Sequence, residues 1–108
     1  MKTRTLRLSK DRDGALHRYV VHVDEVRLGW VCRSIVDGTW SAHAKVDPDA
    51  FTAPCVGRGE SLRRHAVREV LYAVERRGGV WELDDQCHPT FVDVDPGVLL
   101  DAHEEVSA

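Results

Sequence analysis

The chain has 108 residues, of which 43% are hydrophobic and 31% charged; this suits one folded α+β domain over 1–108 and excludes a disordered polymer. Its net charge of −3 gives no bulk attraction for nucleic acid, so any such binding needs a local patch. No run approaches the ~20 apolar residues of a membrane span, and the opening MKTRTLRLSKDRD has basic residues with no apolar stretch behind them, so neither a membrane partner nor a secretory leader is expected. The expected location is cytoplasmic.

The first half reads as strands. Thr3–Ser9 alternates, with Leu6 and Leu8 on one face. Lys10-Asp11-Arg12-Asp13-Gly14 breaks the pattern as a polar turn. In His17–Asp24, Tyr19, Val21 and Val23 share one face, and Arg18, Val20 and His22 the other.

Leu28–Val46 gives the strongest strand signal. Asp37-Gly38 lies between two β-rich runs and predicts a two-residue type I′ hairpin. That register sets Ile35 against Trp40, Val31 against Ala44, and Cys32 against His43. Trp40, Ala42, Ala44 and Val46 then form one apolar face.

Asp47–Gly59 holds two prolines and two glycines and reads as a loop. Glu60–Arg77 reads as the one long helix. Leu62, Ala66, Val67, Val70, Leu71 and Val74 recur at helical spacing, Ser61 is the expected N-cap, and Gly78-Gly79 ends the run. Leu62, Val67, Val70, Leu71 and Val74 are expected to pack on Trp40, Ala44 and Val46. Val80–Leu83 and Thr90–Val94 are candidate short strands, and Asp95-Pro96 starts a candidate final helical turn. The expected fold is an antiparallel four-stranded meander packed on one long helix, with a short C-terminal strand/helix tail.

A helix covers only one side of such a sheet. The other side is expected to present Leu28, Trp30, Cys32 and Ser34 beside Ser41, His43 and Lys45, with Arg18 and His22 from the neighbouring strand. Trp30, His43, Lys45, Arg18 and His22 are therefore the candidate binding residues. A tryptophan among basic groups suits an interface anchor, and equally a stacking platform for a base. A strand meander with one helix is also a layout used by single-strand nucleic-acid binders, an architectural analogy carried by no motif.

A second candidate lies at the helix start. Arg58, Ser61, Arg63 and Arg64 surround backbone N–H groups that suit an anion, but no P-loop signature is present and Glu60 opposes the charge.

Cys32, Cys55 and Cys87 are odd in number, widely spaced and outside any CxxC pair, so free thiols are expected. The six histidines have no spacing diagnostic of a metal set, and no cofactor fingerprint or catalytic motif occurs. The leading expectation is a non-catalytic protein-binding or regulatory module, with self-association as a homodimer included, that uses the sheet face opposite the helix. Single-stranded nucleic acid on the same face is the alternative, and a small enzyme comes third.

Overall fold

The computed structural model describes residues 5–10, 17–47 and 53–94. The polar turn after Lys10, the turn at Asp95-Pro96 and the C-terminal tail fall largely or wholly outside these residues. Five strands form one antiparallel sheet in chain order: β1 (Leu6–Lys10), β2 (Arg18–Val23), β3 (Val26–Arg33), β4 (Trp40–Ala44) and β5 (Cys55–Glu60). The helix α1 (Arg63–Arg77) follows, then a hairpin of β6 (Gly79–Leu83) and β7 (Pro89–Asp93). The α+β class and the antiparallel sheet agree with the sequence. The strand count does not: the sheet has five strands rather than four, and the glycine-containing Cys55–Glu60 segment is an edge strand rather than a loop.

Alternation along the strands separates two faces. Val21, Val23, Val31, Ala42 and Ala44 are buried on one, where α1 lays down Ala66, Val67, Val70, Leu71, Ala73 and Val74. Tyr19, Trp40 and Val46 are packed against the margin of this core. The helix approaches β5 closely: a methyl group on Gly57 would lie 2.9 Å from the Cγ of Glu69. Glycine is thus required there by packing, although in the sequence it resembles a loop residue.

Three details of the helix differ from the expected ones. It starts at Arg63, because Glu60 belongs to β5. Leu62, not Ser61, is the N-cap, and no side chain caps it. Leu62 is also 43% exposed, so it is not a core residue. At the other end Gly78 takes the left-handed conformation, φ 83°, and donates to the carbonyls of Val74 and Glu75.

The β3–β4 hairpin is offset by two residues from a tight Asp37-Gly38 turn. Gly29 pairs with Ala44, Val31 with Ala42, and Arg33 with Trp40. Ser34 and Thr39 close a wider loop: the Ser34 N–H donates to the Thr39 carbonyl, and the Asp37 carboxylate accepts from both the N–H and the hydroxyl of Thr39. Ile35 and Val36 are left 77% and 92% exposed at the tip. A shift of two preserves the side on which every residue of β4 projects.

A one-residue irregularity in β3 has the opposite effect. Val21 pairs with Gly29 and His22 with Arg27, so Leu28 is an extra residue, a β-bulge. Leu28 turns into the core and is fully buried. It therefore does not share the open face with Trp30, as uninterrupted alternation predicts. Beside it, a Cβ on Gly29 would collide with the His43 carbonyl oxygen and lie 2.9 Å from the Ala44 Cα.

Two substitutions test this packing. Val70→Asp places an unpartnered charge in the helix–sheet core and is expected to abolish the cooperative melt, since that cost rivals the ~5–15 kcal/mol stability of a typical domain. Gly29→Ala is expected to lower unfolding free energy by about 1–3 kcal/mol in a urea titration, as overpacking does. A wild-type midpoint for Gly29→Ala would mean that β3 and β4 do not approach this closely.

Candidate functional site

The face opposite α1 is built as rows across the strands. One row is Arg7, His22 and Arg27. The next is Ser9, Val20, Trp30, His43 and Cys55, and the third is Arg18, Cys32 and Ser41. Trp30 is thus on the open face, as its position in β3 predicts, and Arg18, His22 and His43 share that face with it.

Trp30 is the centre of a layered contact that crosses three strands. From the β4 side, the His43 ring stacks on the indole with centroids 5.5 Å apart and planes 20° apart. From the β2 side, the Arg18 guanidinium carbon lies over the indole, 4.7 Å from its centroid. His43 Nδ1 is 3.2 Å from the Ala53 carbonyl, which holds the ring as an Nδ1–H donor. An arginine over an aromatic face contributes about 0.5–2 kcal/mol, more as water is excluded. The residues of this layer are mutually braced before any ligand arrives.

Two pockets flank the stack. The larger, about 500 Å³, is lined by Arg18, Arg27, Trp30, Lys45, Ala53, Glu82 and Leu83. Lys45 follows β4 and donates its backbone N–H to the Leu28 carbonyl, at the bulge. Its own carbonyl accepts from the Trp81 N–H, which ties β6 to this end of the sheet and brings Glu82 and Leu83 to the pocket. Burial holds the Lys45 ammonium below its ordinary pKa; Glu82 acts in the opposite sense and Arg27 adds to the depression. His22 is shifted the same way, first by burial and then by Arg7 and Arg27, with Glu25 opposing. Both shifts reflect partial desolvation beside positive charge.

The smaller pocket, about 380 Å³, lies toward the β3–β4 loop, and its lining includes Cys32, Ser41, His43, Cys55 and Arg58. Cys32 faces Ser41, not His43, because of the two-residue offset, so the anticipated Cys32–His43 pair does not form across the strands. Cys55 accepts a contact from Arg58 Nε at 3.3 Å and donates toward the Gly57 carbonyl at 3.4 Å. All three cysteines are free thiols. Among the described residues no three His, Cys, Asp or Glu side chains are grouped as metal ligands.

The four residues near the helix start are dispersed. Arg63 turns to the helix side of the sheet, its guanidinium 4.5 Å from the Tyr19 ring centroid. Arg58 points to the open face, while Ser61 and Arg64 are exposed. They do not converge on the first turn of α1.

Arg27, Ala53, Glu82 and Leu83 are pocket residues that the sequence reading did not single out. Strict alternation from Trp30 puts Arg27 on the helix side; the Leu28 bulge returns it to the open face. No family model, curated protein or solved structure matches the chain. Among the described residues, no helix is long and apolar enough to cross a membrane.

Thiol chemistry tests the placement of the cysteines. Titration in denaturant without reductant is expected to find three thiols per chain. In the native protein, exposed Cys87 is expected to react before half-buried Cys32 and Cys55. Native Cys55 reacting as fast as Cys87 would contradict the packing of β5.

Proposed function

We propose that the chain is a non-catalytic binding module whose open sheet face takes an acidic segment of a protein partner. The observation that carries this reading is the composition of that face. Among the described residues Arg7, Arg27 and Lys45 gather there with Arg18 over Trp30, opposed by Glu25 near His22 and Glu82 at the edge, in a chain whose net charge is −3. Concentrating positive charge on one face of an acidic protein favours encounter with an anionic partner and sets its orientation.

The same geometry weighs the other readings. Two copies docked through this face would oppose like charges, which disfavours a symmetric homodimer there. A single-stranded nucleic acid needs an accessible ring to stack on. Here Arg18 and His43 approach Trp30 from the strands on either side, so the indole acts as a brace within the surface. An extended acidic peptide needs no intercalation; it needs cations held in place, as Trp30 holds Arg18.

Peptide display against the wild type is expected to enrich Asp- and Glu-rich sequences. The double variant Arg27→Glu/Lys45→Glu is expected to lose that enrichment. Trp30→Ala is expected to remain folded and to bind the selected peptide about 1 kcal/mol more weakly, because Arg18 loses the ring that holds it. Sedimentation of the unliganded wild type is expected to give a monomer. Selection of peptides without acidic bias would overturn the reading. Tighter, salt-sensitive binding of an oligothymidylate than of any peptide would favour the nucleic-acid alternative.

A further inference from the structure

His22 occupies the middle of a cross-strand row, with an arginine on each side of it. β1 sets Arg7 opposite His22, and the Leu28 bulge sets Arg27 opposite it from β3. Glu25, in the β2–β3 turn, also acts on His22, while the neighbouring Asp24 carboxylate accepts from the Thr5 N–H on the β1 side. Among the described residues these are the charged groups that face the ring from the elements packed against it.

His22 is half-buried, and burial is the first reason that its imidazole protonates below the ordinary histidine value. Arg7 and then Arg27 act in the same direction, and Glu25 opposes them more weakly than either arginine. The free row therefore resists the proton that would make His22 a third cation. A carboxylate drawn to Arg7 and Arg27 arrives beside the same ring. Its negative charge offsets the two guanidinium groups and favours the imidazolium. Binding of the anion thus takes up a proton, and by linkage the bound proton strengthens binding of the anion by the same factor.

We propose that the Arg7–His22–Arg27 row is a proton-linked site for the carboxylates of the acidic segment, one that tightens its hold on the partner as the solution becomes acidic. The proposal rests on the reading of the open face as a site for acidic segments, and it adds the regulation of that site. In the free protein His22 stays neutral until the pH has fallen below the ordinary histidine midpoint of about 6.5. In the complex it takes up its proton at higher pH. Affinity therefore rises as the pH falls between the two midpoints, and the gain is complete below both. The carboxylates of the ligand keep their charge through this window, because they protonate only near about pH 4.

The test is a titration of the full chain, by NMR and by calorimetry, with a hexaglutamate peptide and with a cysteic-acid peptide of the same length, whose sulfonates keep their charge throughout. Saturation with either peptide is expected to move the His22 midpoint to higher pH. Both peptides are expected to bind about fivefold or more tightly at about pH 5.5 than at about pH 8, the lower end of ordinary coupling between two sites. His22→Asn is expected to bind as the wild type does at the higher pH and to lose the gain on acidification. His43→Asn, a change to another histidine of the open face, is expected to keep it. Arg7→Gln is expected to raise the His22 midpoint in the free protein and to weaken both peptides. The wild-type midpoints decide the matter without any substitution: a peptide that shifts open-face amides while the His22 midpoint stays in place overturns the proposal and leaves the reading of the open face standing. A His22→Asn protein that keeps the gain does the same, as does a gain shown by hexaglutamate and absent from the cysteic-acid peptide. If neither peptide binds at either pH, both readings fail.

Discussion

Leu28 stands between two ladder pairs, Val21 with Gly29 and His22 with Arg27, and has no opposite number of its own. This extra residue determines what each face of the sheet carries. Before it, Val26 and Leu28 turn toward the helix; after it, Gly29 and Val31 do. Arg27 and Trp30, three residues apart, consequently emerge on the same open face. Without the bulge one of them would have to enter the core, where an arginine would lie among valines. Gly29 lets β4 close against the irregularity, because any side chain there would meet the His43 carbonyl. The bulge is thus both a packing feature, which buries Leu28, and the device that assembles the positively charged face.

The remaining interactions reinforce that placement. The Leu28 carbonyl receives the Lys45 N–H, and the Lys45 carbonyl receives the Trp81 N–H. A chain of backbone bonds therefore runs from the bulge to the second hairpin and forms one wall of the pocket. Trp81 and Phe91 pack edge to face, centroids 5.3 Å apart, and Val80 and Val92 join the main core. Side chains on one face thereby hold the hairpin to the domain, and the edge-to-face pair joins its two strands on the other. Positive charge accumulates because Arg7 and Arg27 lie on either side of His22 in one cross-strand row. Such a row costs stability in the free protein, a cost that an anionic ligand would relieve.

The parts of this arrangement readable in the sequence are those set by periodicity. The Val67, Val70, Leu71 and Val74 stripe identifies the helix and its buried side, and period two places Trp30 and His43 together. A hairpin offset of two residues leaves those faces intact, so the Asp37-Gly38 reading misplaces Cys32 without misplacing Trp30. Ile35 and Val36 mislead because β-branched residues occur at the loop tip, where they are exposed. A bulge has no period, so Leu28 is assigned to the wrong face and Arg27 goes unnoticed. Strand β5 is obscured for a related reason: Pro54, Gly57 and Gly59 look like punctuation, yet Gly57 is small because Glu69 of the helix lies against it. Glu82 and Leu83 become pocket residues only through the Trp81–Lys45 backbone bond, a long-range contact with no local signature.

The account depends most directly on the side to which Leu28 and its neighbour Trp30 point. Nuclear Overhauser effects in the folded, unliganded protein decide this without any substitution. The expected result is a set of cross-peaks from the Leu28 methyl groups to methyl groups of α1, with Trp30 indole protons showing cross-peaks to His43 and Arg18 and none to the helix. Leu28 methyl groups in contact with the Trp30 ring and silent toward α1 would contradict the bulge, and with it the face on which Arg27, Trp30 and Lys45 are brought together.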